Sequence, residues 1–194
     1  MRRLALMALV PVTALVATAC AAGGGGSAID TDFDPAVASQ MDGWQTYAHA
    51  PLPPTRSGGL YNAEWETRIR EVIDREMQAR GFQLVTANPD FRVAYHAAMG
   101  TMDIRDATEA YGYRAGWYNP VSAQGQDRWM EGTFVLDIIR ASNNTLAWRG
   151  AGQGLLGRDG SRQILQPRID TAVRQILEQF PPSRAQADPG MSLR

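Results

Sequence analysis

The stretch TFVLDIIRASNNTLAW, residues 133–148, decides the fold because it contains a complete strand–turn–strand unit. Apolar side chains alternate along residues 133–139 and occupy one face of a strand. These side chains are Phe134, Leu136 and Ile138. The turn residues Ser142-Asn143-Asn144 follow, and Leu146-Ala147-Trp148 returns as the next strand. The stretch therefore predicts an antiparallel hairpin with one apolar face that another layer must cover.

Two amphipathic helices are predicted, one before and one after this hairpin. The first begins after Asn62, a suitable N-cap residue, and ends before Gly81, a residue type common just beyond helices. Its apolar side chains recur at helical spacing. They are Trp65, Ile69, Val72, Ile73 and Met77. The second helix has an apolar stripe along residues 169–180, with Pro167 expected in its first turn. Each helix is apolar on one face only, so each should cover a sheet.

Three further strands are predicted, near residues 43–48, 82–85 and 91–97. The order along the chain is then β-α-β-β-β-β-α, and the short connections favour antiparallel neighbours. This order predicts an α/β chain of the α+β type. We expect a two-layer sandwich, in which a mostly antiparallel sheet of about five strands carries both helices on one face.

The beginning of the chain has the features of a bacterial export signal. Positive residues Arg2 and Arg3 precede an apolar run over residues 4–16, and small residues follow up to Ala19. The run is shorter than a membrane-spanning helix, so residues 1–19 are interpreted as a removed lipoprotein signal peptide. Residues 20–29 form a Gly-rich tether, residues 30–183 a single domain, and residues 184–194 a tail expected to be disordered.

Cys20 is the expected attachment point of a lipid. It is the single cysteine of the chain, so no intramolecular disulfide competes for it. Small residues directly before a cysteine resemble the bacterial lipoprotein box, although Ala17 stands where that box usually has Leu. The Ala17-x-Ala19 pattern also satisfies ordinary signal cleavage, which would leave Cys20 as a free thiol. We expect acyl chains such as palmitate on Cys20, and Ala21 after it favours the outer membrane, facing the periplasm.

The charge pattern argues against a nucleic-acid partner. The chain has 19 basic and 20 acidic residues, a formal net charge of −1, and the arginines are interleaved with acids. A nucleic-acid interface requires a basic patch, which this pattern does not supply. The expected partners are therefore a membrane, through the lipid on Cys20, and an envelope protein or glycan.

Several segments, in this order, resemble the DUF4136 family of bacterial envelope lipoproteins. They are Asp32-Phe33-Asp34-Pro35, Trp44-Gln45-Thr46-Tyr47-Ala48, Ala79-Arg80-Gly81-Phe82, the strand over residues 91–96, Glu131-Gly132-Thr133-Phe134-Val135-Leu136-Asp137, Leu146-Ala147-Trp148-Arg149-Gly150 and Phe180-Pro181-Pro182. The resemblance covers roughly residues 30–183 and implies an envelope location and a fold. The family is named for its unknown function, so it supplies no catalytic residues.

Motifs for cofactors and metals are weak. Gly152-x-Gly154-x-x-Gly157 matches the dinucleotide-binding pattern, but no second parallel strand can follow it, and a glycine-rich turn is the preferred interpretation. His49 and His96 are the two histidines of the chain, and His49 is placed in a Pro-rich loop. Neither has the spacing of a zinc site. No cofactor and no metal are expected.

His96 and Asp137 are a candidate polar pair on the open face of the sheet. The alternation of their strands puts His96 opposite Tyr95, and Asp137 on the same side as Thr133 and Val135. The pair could serve as acid and base in an enzyme, although no nucleophile motif accompanies it. A hydrogen-bonded structural pair is the alternative.

The long connection over residues 101–130 is the candidate binding surface. It is rich in aromatic residues and arginine, the types that dominate interaction hot spots. The candidate residues are Tyr111, Tyr113, Arg114, Trp117, Tyr118 and Trp129. The alternative is an extended hairpin whose aromatic side chains cover the open sheet face.

Three functions remain open at this level. The first is a binding or scaffolding module on an envelope lipoprotein. The second is a hydrolytic enzyme that acts on cell-wall or envelope substrates through His96 and Asp137. The third is a purely structural surface protein.

Overall fold

The computed structural model describes residues 29–53, 60–99, 102–103, 111–114, 128–129, 132–156 and 161–181. Within these ranges the chain forms three helices and eight strands. The helices are α1 (Ala38–Met41), α2 (Ala63–Ala79) and α3 (Arg162–Leu177). The strands are β1 (Ile29–Phe33), β2 (Thr46–His49), β3 (Gln83–Leu84), β4 (Phe91–Ala98), β5 (Met102–Asp103), β6 (Arg128–Trp129), β7 (Thr133–Arg140) and β8 (Thr145–Gly152). No helix in this described part is long and apolar enough to cross a bilayer.

The main sheet has six strands in the order β1-β8-β7-β4-β2-β3 and is open. The predicted hairpin is confirmed, because β7 pairs antiparallel with β8. β4 and β1 extend it antiparallel on either side, whereas β2 pairs parallel with both β4 and β3. The class, α+β, is confirmed, but the strand number, order and direction differ from the prediction. Helix α2 connects β2 to β3 as a crossover, and a crossover of this kind makes its two strands parallel.

Both long helices cover one face of the sheet, as predicted. Arg68 on α2 donates two 2.8 Å hydrogen bonds to the Asp170 carboxylate on α3, which ties the helices together. Beneath them lies one continuous apolar core that includes Phe91, Leu136 and Trp148. The helix stripes contribute the buried side chains Ile69, Val72, Ile73, Met77, Leu165, Ile169, Ala172, Val173, Ile176 and Leu177.

The helix ends follow the sequence signals in part. The Asn62 side chain accepts a 3.1 Å hydrogen bond from Trp65 N, and Gly81 has a φ of +90° just after α2. The prediction for Pro167 is wrong: it lies beyond the first turn, because α3 already begins at Arg162. A proline there removes the hydrogen bond to the Gln163 carbonyl. Gln163 is exposed, so water can replace that donor.

The glycine motif after β8 forms a turn. Gly152 ends β8, and Gly154 has a φ of +70° in the turn that follows. Residues 153–156 are turn and bend rather than helix, and the next described helix, α3, begins at Arg162. Gly157 lies outside the described residues. The arrangement supports the turn interpretation of the motif rather than a dinucleotide-binding one.

Replacing Gly150 with alanine should lower the free energy of unfolding by about 1–3 kcal/mol, the usual effect of overpacking. A Cβ atom at Gly150 would overlap the Trp148 ring and the Ile176 side chain beneath α3. Urea unfolding measures the change. Gly43→Ala is the matched control, because its new Cβ would meet only Gln40 O, at an ordinary 3.5 Å. Equal stability of the two variants would contradict the prediction.

Candidate functional site

A buried polar cluster lies on the sheet face opposite the helices. Asp137 of β7 stands directly across from Arg149 of β8, and His96 of β4 is close by. Arg149 donates from Nε to Asp137 Oδ1 and from Nη2 to Oδ2, both at 2.6 Å. His96 Nε2 lies 2.8 Å from Asp137 Oδ2, and the Tyr113 hydroxyl donates to the same oxygen. The carboxylate is thus bound by a cation, an imidazole and a phenol.

The cluster is almost completely shielded from water. His96 and Asp137 are 0% exposed, Arg149 2% and Tyr113 4%. Burial would raise the pKa of Asp137, but the charge and hydrogen bonds of Arg149, followed by those of His96, hold that pKa well below its ordinary value. Asp137 is therefore an anion in the folded protein, and the Arg149–Asp137 contact is a bidentate ion pair.

A further carboxylate lies beyond Arg149, on the edge strand β1. Asp32 of β1 pairs with Arg149 on the side away from Asp137. Burial raises the pKa of Asp32, assisted by Asp30, whereas a backbone hydrogen bond from Phe33 and the charge of Arg149 oppose the increase. Arg149 therefore lies between two carboxyl groups, that of Asp137 on β7 and that of Asp32 on β1.

The segment over residues 111–114 covers this cluster. The Tyr111 hydroxyl donates a 2.8 Å hydrogen bond to Tyr95 O, and its ring meets the His96 ring edge to face at 5.0 Å. Backbone bonds fix the segment to the β7–β8 turn: Leu146 N donates to Arg114 O at 2.7 Å. Tyr113 packs in a small apolar cluster with Ala50, Ala94, Ile139 and Leu146.

The remaining predicted surface residues are only partly described. Arg114 is exposed and its Nη2 lies 3.5 Å from Asn143 O. The backbone of Trp129 belongs to β6, which pairs antiparallel with β5. Trp117 and Tyr118 lie outside the described residues. The structure thus brings Tyr111 and Tyr113 to His96 and Asp137 and leaves Arg114 exposed.

Arg149 is the member of the cluster that the sequence reasoning missed. A signal was present, since Arg149 follows the buried Trp148 and must therefore face the other side of β8. Its alignment with Asp137 depends on the β7–β8 register, which includes an irregularity between Ile138 and Ile139. An odd-residue shift of this kind is not readable from alternation alone.

The arrangement can do little chemistry as it stands. Every member of the cluster bonds to other members, and the Tyr113 hydroxyl lies 3.2 Å from His96 Nε2. Among the described residues there is no group of three or more His, Cys, Asp or Glu side chains that could hold a metal ion. The geometry is that of a buried, mutually bonded polar network inside a fold, which specifies packing.

A second histidine–carboxylate contact lies between β2 and α2. The placement of His49 in a loop is wrong: it is the last residue of β2, paired with Val93, because β2 extends along β4. His49 Nε2 lies 2.7 Å from Asp74 Oδ1, and the Tyr47 hydroxyl donates to the same oxygen at 2.7 Å. Burial, assisted by the charge on Asp74, raises the pKa of Tyr47, so its phenol stays protonated.

Acidification below about pH 6.5 should destabilise the protein through His49. Burial lowers the pKa of His49, opposed by Asp74, while Arg70 and Glu66 act with opposite signs. The unfolded chain therefore takes up a proton that the folded state resists, so the contribution of His49 is present above the unfolded pKa and lost as pH falls. Urea unfolding at pH values from about 7.5 to about 5, which bracket that pKa, measures this loss of stability.

His49→Gln should flatten this part of the pH profile. Gln179→Asn is the control, because it changes an exposed side chain that does not titrate and leaves the His49 contacts intact. Identical pH profiles for wild type and His49→Gln would contradict the prediction.

The fold and the cluster together define an α+β domain with an open mixed sheet. The helices cover one face of this sheet, and the buried polar cluster lies on the other. The chain belongs to the family described as a domain of unknown function, DUF4136, which matches residues 29–182. No curated protein matches the sequence.

Similarity to solved structures is limited to the fold. A PDZ domain protein from Parabacteroides distasonis superposes with a TM-score of 0.52 at 15% identity, covering 82% of this chain. The chain spans 36% of the length of that protein. Two structures of a PelC dodecamer from Paraburkholderia phytofirmans have TM-scores of 0.40 at 11% and 12% identity, covering 78% of this chain and 95% of theirs.

Proposed function

We propose that this protein is a lipid-anchored envelope protein whose domain is a binding or scaffolding module. The observation that carries the anchor is the lone Cys20 between an export-like signal and a Gly-rich tether. The tether leads directly into β1, which begins at Ile29 on an edge of the sheet. An edge strand can be joined to an anchoring segment without interrupting the pairing of the inner strands. The proposed location is the outer membrane, facing the periplasm.

The proposal of a binding module, rather than an enzyme, rests on the burial of the polar cluster. His96, Asp137 and Arg149 are buried and bonded to one another, which suits a structural role better than turnover of a substrate. The segment that covers them continues into the aromatic-rich connection up to Trp129. Aromatic and arginine side chains on such a connection suit recognition of an envelope protein or a glycan.

Metabolic labelling tests the anchor. Cells that express the full chain with a C-terminal tag are fed an alkyne-labelled palmitate, and the protein is captured and tested for label. We expect label on wild type and none on Cys20→Ser, which should be found in the soluble fraction. Ser27→Ala serves as the control that leaves Cys20 intact. An unlabelled wild type that fractionates like Cys20→Ser would refute the anchor.

A hydrolytic enzyme acting on cell-wall substrates is the second candidate. It is favoured by one observation, the 2.8 Å contact between His96 Nε2 and Asp137 Oδ2, which is the contact of a general base with its orienting carboxylate. Purified full chain incubated with isolated peptidoglycan should then release soluble fragments, and His96→Gln should not. Absence of fragments from wild type would remove this candidate.

A further inference from the structure

A cavity of about 380 Å³ opens at one end of the main sheet, away from the polar cluster. It lies where the turn before β4, Asn88-Pro89-Asp90, meets the turn after β7. Ala141 N donates a 3.1 Å hydrogen bond to Asp90 O, which holds the two turns together. Its volume falls within the range of small-molecule sites in proteins.

Two arginines line this cavity from neighbouring strands. Arg140 at the end of β7 pairs with Phe91, and Arg92 follows Phe91 on β4, so the two side chains reach the cavity from opposite faces at the end of the sheet. In the described residues no carboxylate lies within ion-pair distance of either guanidinium. Nε and Nη2 of Arg140 are buried and have no hydrogen-bond acceptor there. Buried donors without acceptors are costly, and more so when they carry charge.

Asp90 does not neutralise these arginines, although it also borders the cavity. Its Oδ2 accepts hydrogen bonds from Gln45 N at 2.9 Å and from Thr46 N and Oγ1 at 2.8 Å. One half-buried carboxylate and two guanidinium groups leave the lining with a net positive charge. The cavity therefore attracts anions.

The rest of the lining is suited to an organic molecule rather than a bare ion. The Gln40 and Asn88 amides and the Ser142 hydroxyl can bond to neutral polar groups. The half-buried Trp44 indole stacks on Phe91 at 5.4 Å, which fixes an aromatic wall. A few oriented polar groups beside an apolar wall are typical of ligand sites.

We propose that this cavity binds a small organic anion, whose carboxylate or phosphate is held by Arg92 and Arg140 and whose body lies against Trp44. The guanidinium geometry suits both oxyanions, because each can accept two parallel hydrogen bonds from one arginine. The site goes beyond the proposed function, since it depends neither on the lipid anchor nor on the aromatic connection.

Isothermal titration calorimetry of the full-length protein in detergent tests the site with three probes. These are galacturonate, galactose and inorganic phosphate. Galacturonate and galactose differ in one group, the carboxylate that replaces a hydroxymethyl group. We expect at least one anion to bind and galactose not to, with binding weakened by added salt.

The variants assign that binding to the two arginines. Arg92→Gln and Arg140→Gln should each weaken binding by at least about tenfold, the effect of losing one charge-assisted contact. Arg174→Gln is the matched control, because it makes the same charge change on an exposed part of α3. If Arg140→Gln does not fold, Arg92→Gln alone decides the outcome.

Each result has a defined meaning. Binding of galacturonate alone supports a carboxylate ligand, and binding of phosphate alone supports a phosphate-bearing one. Binding of neither anion overturns the proposal, as does an Arg92→Gln variant that binds as tightly as wild type. Labelling at Cys20 is a separate readout, so failure of this site leaves the anchor untouched.

Discussion

Asp137→Asn should lower the free energy of unfolding by about 3–5 kcal/mol, the usual loss when one partner of a buried ion pair is removed. Arg149 is only 2% exposed and Asp137 is 0% exposed, so water cannot take over the role of the carboxylate. An asparagine keeps the shape of the side chain but not its charge. The guanidinium would then stay buried beside a neutral amide. Urea unfolding at neutral pH, followed by circular dichroism, measures the loss.

The matched control for Asp137→Asn is Glu64→Gln. Glu64 also pairs with an arginine, Arg162, but their side chains are 58% and 59% exposed. Loss of such a surface pair should change stability by less than about 0.5 kcal/mol. A loss below about 1 kcal/mol for Asp137→Asn would contradict the prediction, because buried pairs are worth more than that when broken.

The Arg149–Asp137 pair also makes the stability of the protein depend on pH in the acid range. The pKa of Asp137 is lowered in the folded state, so the unfolded chain binds a proton at a higher pH than the folded protein does. The stability that Asp137 supplies is therefore fully present above its unfolded pKa of about 3.9 and is lost as pH falls towards the folded value. The difference in stability between wild type and Asp137→Asn should shrink over that acid range.

Phe91→Ala should also cost about 3–5 kcal/mol, the typical effect of removing a buried aromatic ring. Phe91 is 0% exposed, and four aromatic rings surround it. They are Trp44 at 5.4 Å, Tyr47 at 6.0 Å, Phe82 at 5.3 Å and Phe180 at 5.7 Å. These rings come from separate parts of the chain, so they cannot all move in to fill the space. The cavity left by the ring would therefore stay unfilled and destabilise the folded protein.

Thermal and urea unfolding measure the Phe91→Ala effect. Leu84→Ala on the edge strand β3 is the control, because Leu84 is 46% exposed and its truncation should change stability by less than about 0.5 kcal/mol. If Phe91→Ala costs no more than the control, the aromatic cluster is not a rigid part of the core.

The sequence predicts those elements whose signal lies within a single segment. The alternation in β4 and β7 puts His96 and Asp137 on one face, and helical spacing finds α2 and α3. β1 was missed because IDTDF alternates with aspartates, which are rare in strands. One of them, Asp32, pairs with Arg149 across the sheet, a reason that only the register supplies. The four-residue helix α1 is too short to leave a periodic pattern.

Strand direction and the site depend on contacts between distant segments. The parallel pairing of β2 with β4 brings His49 to the strand end, which local composition placed in a loop. The polar cluster draws its four members from β4, β7, β8 and the covering segment. Sequence reasoning found His96 and Asp137 as a pair, named Tyr113 for another role, and left out Arg149. The pairing register between distant strands determines which residues meet in such a site, and this register cannot be derived from a single sequence.

The position of β1 beside β8 has a consequence for how the domain is completed. The earliest strand of the domain is synthesised first, yet its hydrogen-bonding partner is the last strand of the main sheet. Until β8 is available, the backbone of β1 has no ladder to join, and until β1 docks, β8 presents a bare edge that another molecule can pair with. Closure of this non-local pairing is slow by its topology. The pairing of β1 with β8 must therefore wait until nearly the whole sheet has been synthesised, and until it forms the edge of β8 is open to self-association.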